Sequence, residues 1–457
     1  MKEKKITEAV EEPKVPGMKI TIPIVILMGL FFIIRLGVTD EQLFRGNALS
    51  AGIFMAITAL LLHLFLTGRD DYFIVTWLAF HFAPEIIKIP GFDLSIIGFV
   101  NAIFIPLMIL RLASLRSRYF LAICALMLVF LTNLGVSNLR LLGSRVFEFI
   151  SIILFFYFVL RKCRRPELIV RTALFIALLS VPFAVYQAIF QPEGGVFIDW
   201  RGARVFGVLF WPNLYSMYLL APTVIAYYFM RQEPGLGKAL AFASLVLANL
   251  LTWSRQGLMS LGLAIVVFEL FYRKNSSRNS QAIKKFIVTA VVLMLLAVYQ
   301  YSSDNVAEEL KPTSISERTG IWNSVIPLIG NNWLFGNGLG SYELYRDQVV
   351  GSLSPHNQYL LMLFEIGILG LAIFLIFLAM AAFDLYSMTK DPLSRNYAGL
   401  GIAIMLGLMV ISFVGNGFSE ISALNGWIIV ACTALLAKAS AKSQAAPQNQ
   451  AKGGLAR

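Results

Sequence analysis

Residues 357–386 read NQYLLMLFEIGILGLAIFLIFLAMAAFDLY and contain only two charged side chains, Glu365 and Asp384. A helix needs about 20 mostly apolar residues to cross the hydrocarbon core of a bilayer. This run is longer than that, so it predicts a membrane-spanning helix.

The rest of the chain has the same character. Its 457 residues are 58% hydrophobic and only 14% charged, with a mean hydropathy of +0.73. A soluble protein of this length would be roughly a quarter charged. We therefore predict an all-α fold, a polytopic transmembrane helix bundle of about 12–14 spans. The candidate spans are 20–36, 48–66, 72–89, 95–112, 119–134, 143–160, 169–190, 207–230, 237–253, 256–272, 286–301, 357–386, 396–415 and 424–438. The third carries Pro84, Glu85 and Lys88 near its end, and the fifth and ninth are short, so twelve spans is the alternative.

The basic residues indicate the orientation of these spans. Lys and Arg concentrate in the connections 111–118, 161–171, 273–285 and 389–395, which all fall on one side if there are fourteen spans. Basic connections are typical of the cytoplasmic side. This predicts cytosolic tails at 1–19 and 439–457, transmembrane regions at 20–301 and 357–438, and a periplasmic loop at 302–356. The net charge of +12 is explained by this topology, so we predict no nucleic-acid partner.

The loop 302–356 is the longest polar stretch between apolar runs. Within it, apolar residues recur at helical spacing from Ile321 to Ile329, and GNGLG at 336–340 interrupts the pattern. We predict a short helix lying on the bilayer surface, then a turn, and a second short helix over 341–350.

Several outer segments each offer one or two side chains that suit phosphate chemistry. Arg201 and Arg204 lie in one connection, Arg255 in another, and Arg318 and His356 in the long loop. Arginine stays charged and binds phosphate oxygens with a forked geometry. Histidine accepts protons near neutral pH. Together these residues indicate group transfer from a lipid diphosphate, in which the arginines hold the leaving group and the histidine activates the nucleophile.

Each residue also has a structural interpretation. Interfacial arginines commonly bind lipid headgroups, and an interfacial histidine is often a cap or a hydrogen-bond donor. Glu365 lies inside an apolar run, where a carboxylate is either functional or braces a neighbouring helix. The cysteines at 124, 163 and 432 are too far apart in sequence for a metal-binding motif or a disulfide framework, and there is no HExxH or phosphate-loop motif.

Three sequence blocks resemble one bacterial family. The block at 317–374 has an arginine, a tryptophan four residues later, a glycine turn, a histidine–asparagine pair and an E.G..G step. Upstream lie SRQGLMSL at 254–261 and RVFGVLFWPNLYSMYLL at 204–220. Their order and spacing resemble the O-antigen ligase and O-antigen polymerase superfamily over residues 200–375. In the first block the matching residues are Arg318, Trp322, Gly336, Gly338, His356, Asn357, Glu365, Gly367 and Gly370.

The resemblance implies an inverting glycosyltransferase of the bacterial inner membrane that uses no metal or other cofactor. It would move a glycan from undecaprenyl diphosphate to a sugar hydroxyl at the periplasmic face. On the matching positions, His356 would be the base or would orient the acceptor, and Arg255 and Arg318 would bind the diphosphate with help from Arg204 and Arg201. We count Glu365, Asn357 and Trp322 as supporting residues.

The acceptor distinguishes the two branches of this superfamily. A polymerase extends another lipid-linked repeat, whereas a ligase uses the lipid A core. We favour the polymerase, with the ligase as the close alternative. A transporter of lipid-linked glycans is a more distant alternative, because no internal repeat is evident and the arginines gather at the outer side.

Overall fold

The computed structural model describes residues 48–80, 96–112, 117–132, 139–191, 196–199, 202–209, 211–272, 314–349, 355–413, 415 and 421–453. Over these residues the fold is a bundle of α-helices. The helices are α1 (Ala48–Leu66), α2 (Asp70–Phe80), α3 (Ile96–Leu112), α4 (Arg118–Thr132), α5 (Leu139–Lys162), α6 (Pro166–Phe190), α7 (Pro212–Gln232), α8 (Leu236–Leu251), α9 (Arg255–Phe271), α10 (Ser314–Ile329), α11 (Tyr342–Tyr345), α12 (Gln358–Met388), α13 (Arg395–Phe413) and α14 (Ile421–Gly453). Single 3₁₀ turns follow α10 and α11, at Gly330–Asn332 and Arg346–Gln348.

The all-helical class predicted from the hydrophobic runs is confirmed. Every predicted span that falls within the described residues overlaps a helix, and the spans at 20–36 and 286–301 lie outside those residues. Four described helices are long and apolar enough to cross a membrane: Pro166–Phe190, Gln358–Met388, Arg395–Phe413 and the segment Leu424–Ala441 of α14. The chain is therefore a multi-pass membrane protein. The total of 12–14 spans, the domain boundaries and the sidedness of the tails stay predictions.

A two-stranded ribbon, which the sequence analysis did not predict, precedes α7. Strand β1 (Phe197–Asp199) pairs antiparallel with β2 (Gly202–Arg204), and Phe197 lies opposite Arg204. The side chain of Gln187, near the end of α6, binds the turn that follows. It donates to the carbonyl of Gly207 (3.0 Å) and accepts from the amide of the same residue (2.8 Å). The ribbon is thereby attached to the end of α6.

Ion pairs link helix termini at one end of the bundle, which we call the ion-pair end. Arg111 at the end of α3 contacts Asp70 at the start of α2 (2.8 Å), and Arg118 at the start of α4 pairs with Asp384 near the end of α12. Asp71 accepts a hydrogen bond from the backbone amide of Arg164 (2.8 Å). These contacts bring together the basic connections 111–118 and 161–171, which the sequence analysis had grouped on one side.

The opposite end, which we call the site end, holds the starts of α7, α9 and α12 and the ends of α8 and α13. At this end α9 lies directly against α7, because a Cβ added at Gly257 would be 1.5 Å from the hydroxyl oxygen of Ser216. That hydroxyl donates to the side chain of Asn249 on α8 (2.6 Å). Three helix termini are thus held in close contact.

Helix α12 is broken at Gly367, whose φ of 65° and ψ of −173° are not helical. The break divides α12 into α12a (358–366) and α12b (368–388). At 1.5 Å per residue α12b is about 31 Å long, which is enough to cross a hydrocarbon core of about 30 Å without α12a. Near the start of α12a, the hydroxyl of Tyr359 donates to the carbonyl of Met409 on α13 (3.2 Å). Helix α13 is about 28 Å long, so an unbroken α12 would extend past it. We infer that α12a folds across the site end.

The backbone groups freed by this break bind the segment 333–338. Ile368 and Leu369 donate to the carbonyls of Trp333 (2.9 Å) and Leu334 (3.3 Å). In the other direction, the amides of Asn337 and Gly338 donate to the carbonyls of Phe364 (2.8 Å) and Glu365 (3.0 Å). Buried peptide groups need such partners. We call this backbone pairing of 333–338 with 364–369 the α12 joint.

Both glycines at the centre of the α12 joint are required by close backbone approach. A Cβ on Gly336 would be 2.4 Å from the backbone carbon of Glu365, and one on Gly367 would be 2.4 Å from the carbonyl oxygen of Leu334. The glycine turn and the E.G..G step, separate motifs in the sequence, are therefore the two halves of one contact.

Helix α10 packs in a different direction from the one that the sequence predicted. Its apolar stripe, which includes Ile321 and Val325, is buried in one cluster with Leu361 and Phe364 of α12a. We had expected this stripe to lie on the bilayer surface. The expectation was wrong because hydrophobic periodicity identifies an apolar face without saying whether lipid or protein covers it.

Candidate functional site

His356 occupies a constrained position between α10 and α12. Its φ of +45° lies in the left-handed region, which is uncommon for residues with a side chain. On one side of it, the indole N–H of Trp322 donates to the carbonyl of Pro355 (2.8 Å). On the other, the side chain of Asn357 caps α12 by accepting from the amide of Leu360 (3.0 Å). The carbonyl before the histidine is thus bonded and the helix after it is capped, and strain of this kind is common at functional sites.

The charge state of His356 is set by its surroundings. Its side chain is half-buried, and burial together with the nearby positive charge of Arg318 lowers its pKa below the ordinary histidine value. Both causes disfavour the imidazolium ion. The imidazole is therefore neutral at neutral pH, the form that can accept a proton.

Arg255 is brought to the same end of the bundle by the helix that it begins. It is half-buried and is the first residue of α9, where the side chain of Ser254 caps the helix by accepting from the amide of Gly257 (3.4 Å). The next residue, Gln256, packs on Gly415. A Cβ added to Gly415 would be 3.2 Å from the side-chain amide of Gln256.

Gly415 connects this turn to the histidine segment. Its carbonyl accepts a hydrogen bond from the backbone amide of Gln358 (3.2 Å), two residues after His356. The start of α9, the end of α13 and the start of α12 therefore lie side by side. This contact brings Arg255 to the same end of the bundle as His356, and Arg318 lies close enough to His356 to act on its charge.

Arg204 has a different environment from the other two arginines. It is only 3% exposed, and its Nε donates to the carbonyl of Thr252 (2.9 Å) while its Nη2 donates to Asn213 (3.0 Å). Thr252 lies three residues before Arg255. Arg204 thus ties the start of α7 to the α8–α9 turn. Arg201, the other predicted donor-binding residue, lies outside the described residues.

The supporting residues divide into two groups. Trp322 bonds the carbonyl that precedes His356, and Asn357 caps the helix that follows it. Glu365 is buried, but it lies about 10 Å along the helix axis from the start of α12, at the α12 joint. There its backbone carbonyl accepts from Gly338. The structure places this carboxylate at the far end of α12a from the imidazole.

The sequence analysis missed the residues that connect these segments. Gln187 lies outside the three sequence blocks, whereas Asn213, Gln256 and Gln358 lie inside them but were not named as site residues. The only available signal was position, since Gln256 and Gln358 directly follow the SR and HN pairs. Buried amides bind backbone and side chains across helices, so such contacts appear only when the helices are packed.

One comparison identifies the segment that carries this site. Residues 240–375 match the family model described as O-antigen ligase. Over these residues the chain is similar to the O-antigen ligase family. The resemblance to the O-antigen ligase and polymerase superfamily is thereby confirmed over these residues, which include Arg255, Arg318 and His356. Arg204 precedes the matched range. No curated protein matches the chain.

The matched range coincides with the structural unit that carries the site. It begins in α8 and ends in α12b, so it includes the α8–α9 turn, the segment 314–349 and the α12 joint. The ribbon and the start of α7, which hold Arg204, add to it from outside.

Proposed function

We propose that this protein is a glycosyltransferase that moves a glycan from undecaprenyl diphosphate to a sugar hydroxyl at the periplasmic face of the bacterial inner membrane. The observation that carries the proposal is the proximity of Arg318 to a neutral His356 with a strained backbone at the end of a membrane bundle. The O-antigen ligase match over the same residues supports it.

In the proposed reaction His356 acts as the general base. The acceptor hydroxyl gives its proton to the imidazole as its oxygen forms a bond to the anomeric carbon. The bond between that carbon and the phosphate oxygen breaks, and the electron pair leaves with the lipid diphosphate. Attack opposite the leaving group inverts the anomeric centre. General-base catalysis of this kind contributes about 10²–10⁴-fold.

The arginines stabilise the leaving group. As the glycosidic bond breaks, negative charge develops on the diphosphate, and guanidinium groups bind it through paired N–H donors. We assign this role to Arg255 and Arg318. Arg204 is buried and bonded to the α8–α9 turn, so in our proposal it orients the turn that presents Arg255, and Arg201 stays a predicted donor-binding residue.

The acceptor defines two candidate functions. We retain the polymerase, in which the acceptor is another lipid-linked glycan, as the function favoured by the sequence. The ligase, in which the acceptor is the lipid A core, is supported by the match to a family described as O-antigen ligase. Transport of lipid-linked glycan is the more distant alternative.

Deletion of the gene, followed by electrophoresis of the surface glycans, tests the function. A ladder that collapses to a single repeat on the core indicates the polymerase, and bare core with accumulated lipid-linked polymer indicates the ligase. An unchanged glycan profile would contradict both.

Complementation with variants tests the site. His356→Ala should leave the glycan defect uncorrected while the protein accumulates in the membrane at the wild-type level. Arg346→Ala is the matched control, because Arg346 lies in the same segment but is exposed and contacts only Glu343 among the ion pairs described (3.5 Å). Restored glycans in the His356→Ala strain would show that this residue is not the base.

A further inference from the structure

The segment after α10 exposes large apolar side chains. Trp333 is 56% exposed and Phe335 is 43% exposed. The apolar stripe of α10 is buried against α12a, so these side chains form a separate surface. Exposed aromatic residues of this size, close together, are typical of an interaction site.

This surface is continuous with the lipid-facing side of α12b. The carbonyls of Trp333 and Leu334 accept hydrogen bonds from Ile368 and Leu369, the first two residues of α12b. Both of these side chains are also exposed, as are Leu375 and Ile376 further along the helix. Helix α12 is long and apolar enough to cross a membrane, so its exposed apolar side chains face lipid. Trp333 and Phe335 extend that face beyond the start of α12b, toward the site end.

The other exposed tryptophans indicate that the site end lies at the interface between hydrocarbon and water. Among the described residues, the tryptophans more than a third exposed are Trp211, Trp253 and Trp333. Trp211 directly precedes α7 and Trp253 lies in the α8–α9 turn, so both are at the site end. Tryptophan is enriched where a membrane protein crosses the interface between hydrocarbon and water, because its ring is apolar and its N–H is polar.

We propose that Trp333 and Phe335 insert into the interfacial layer of the bilayer and anchor the segment 314–349 to it. The partner is the lipid surface. The backbone of residues 333–338 is irregular, and a membrane tolerates irregular backbone only where the polar groups of that backbone are bonded. The α12 joint supplies those bonds.

The anchor has a consequence for the proposed reaction, and this part rests on the proposed function. It fixes the height of the segment that carries Arg318 and, through Trp322, of His356. The phosphates of a lipid diphosphate lie at the headgroup level. An anchor in the interfacial layer therefore keeps the base and the arginine at the level of the bond to be broken.

Fluorescence quenching in liposomes of phosphatidylethanolamine and phosphatidylglycerol tests the anchor. The emission of Trp333 is obtained as the difference between the full-length wild type and Trp333→Phe. We expect a blue-shifted difference spectrum that loses most of its intensity when lipids with a doxyl group near the headgroup are included, and little when iodide is added to the water. Trp322→Phe supplies the matched control, because Trp322 is half-buried in the same segment and its N–H is bonded to Pro355.

Two outcomes would overturn the anchor. Quenching of Trp333 by iodide but not by doxyl lipid would place it in water, and protection from both would mean that protein, such as a second copy of the chain, covers it. Repeating the measurement on a His356→Ala background separates this proposal from the function. A His356→Ala protein whose Trp333 is still quenched by lipid retains the anchor whether or not it transfers glycan, so the two proposals can fail separately.

Discussion

Replacing Gly367 with alanine should disrupt the α12 joint. The φ and ψ of Gly367 lie in a region that only glycine populates well, so a side chain there costs about 1–3 kcal/mol. The new Cβ would also lie 2.4 Å from the carbonyl oxygen of Leu334, which accepts a bond from Leu369. Pushing that carbonyl away leaves buried polar groups without partners, at a further cost of about 1–3 kcal/mol. We expect a total loss of about 2–6 kcal/mol.

Two other glycines provide matched controls. A Cβ on Gly330 meets nothing within 4 Å, but its φ is +49°, so Gly330→Ala should show only the cost of strain, about 1–2 kcal/mol. Gly320 is inside α10 with open space around it, so Gly320→Ala should stabilise the protein by about 0.5–1 kcal/mol. Gly336→Ala, which meets the same joint from the other side, should resemble Gly367→Ala.

Thermal unfolding of the four purified variants in detergent, followed by glycan transfer from a lipid-linked donor, measures these effects. The expected order of unfolding temperature is Gly320→Ala highest, then Gly330→Ala, with both joint variants lowest and inactive. If Gly367→Ala unfolds at the same temperature as Gly330→Ala and transfers glycan normally, then the close contact at the α12 joint does not hold the site segment in place, and the reasoning fails.

Further predictions concern the site. In Arg318→Gln the loss of a positive charge should raise the pKa of His356, so the acidic limb of the pH–rate profile should move to higher pH. Arg346→Gln should leave that limb in place. If the limb moves in neither variant, Arg318 does not act on the charge of the imidazole. Trp322→Phe keeps an aromatic ring but removes the bond to Pro355, so kcat should fall by up to about 10²-fold through misplacement of the base; an unchanged kcat would exclude this positioning role. Arg255→Lys should lower kcat, because lysine lacks the paired N–H donors that bind the charge developing on the diphosphate. Arg204→Lys should lower kcat less, because Arg204 acts by orienting the α8–α9 turn, and the reverse order would exchange the two roles.

The sequence by itself determined the helical class and the position of most helices. An apolar run long enough to cross a bilayer has to satisfy its own backbone groups, and the helix is the structure that does so within one segment. This is why the predicted span 48–66 coincides with Ala48–Leu66, and why 396–415 falls on Arg395–Phe413 with ends that differ by one or two residues. The motif residues that resemble the O-antigen ligase family were also evident, because the spacing within each block is local.

Only the tertiary structure decided how these segments meet. The run 357–386 gives no sign of a break, since a glycine in an apolar helix is tolerated and the pattern stays apolar on both sides. The break exists because the backbone of 333–338, some thirty residues earlier in the chain, replaces the helical hydrogen bonds. Likewise, the stripe of α10 covers protein and Trp333 does not, although both are apolar in sequence. Hydrophobicity predicts that a side chain is buried away from water, while the packing of distant segments decides whether protein or lipid covers that side chain.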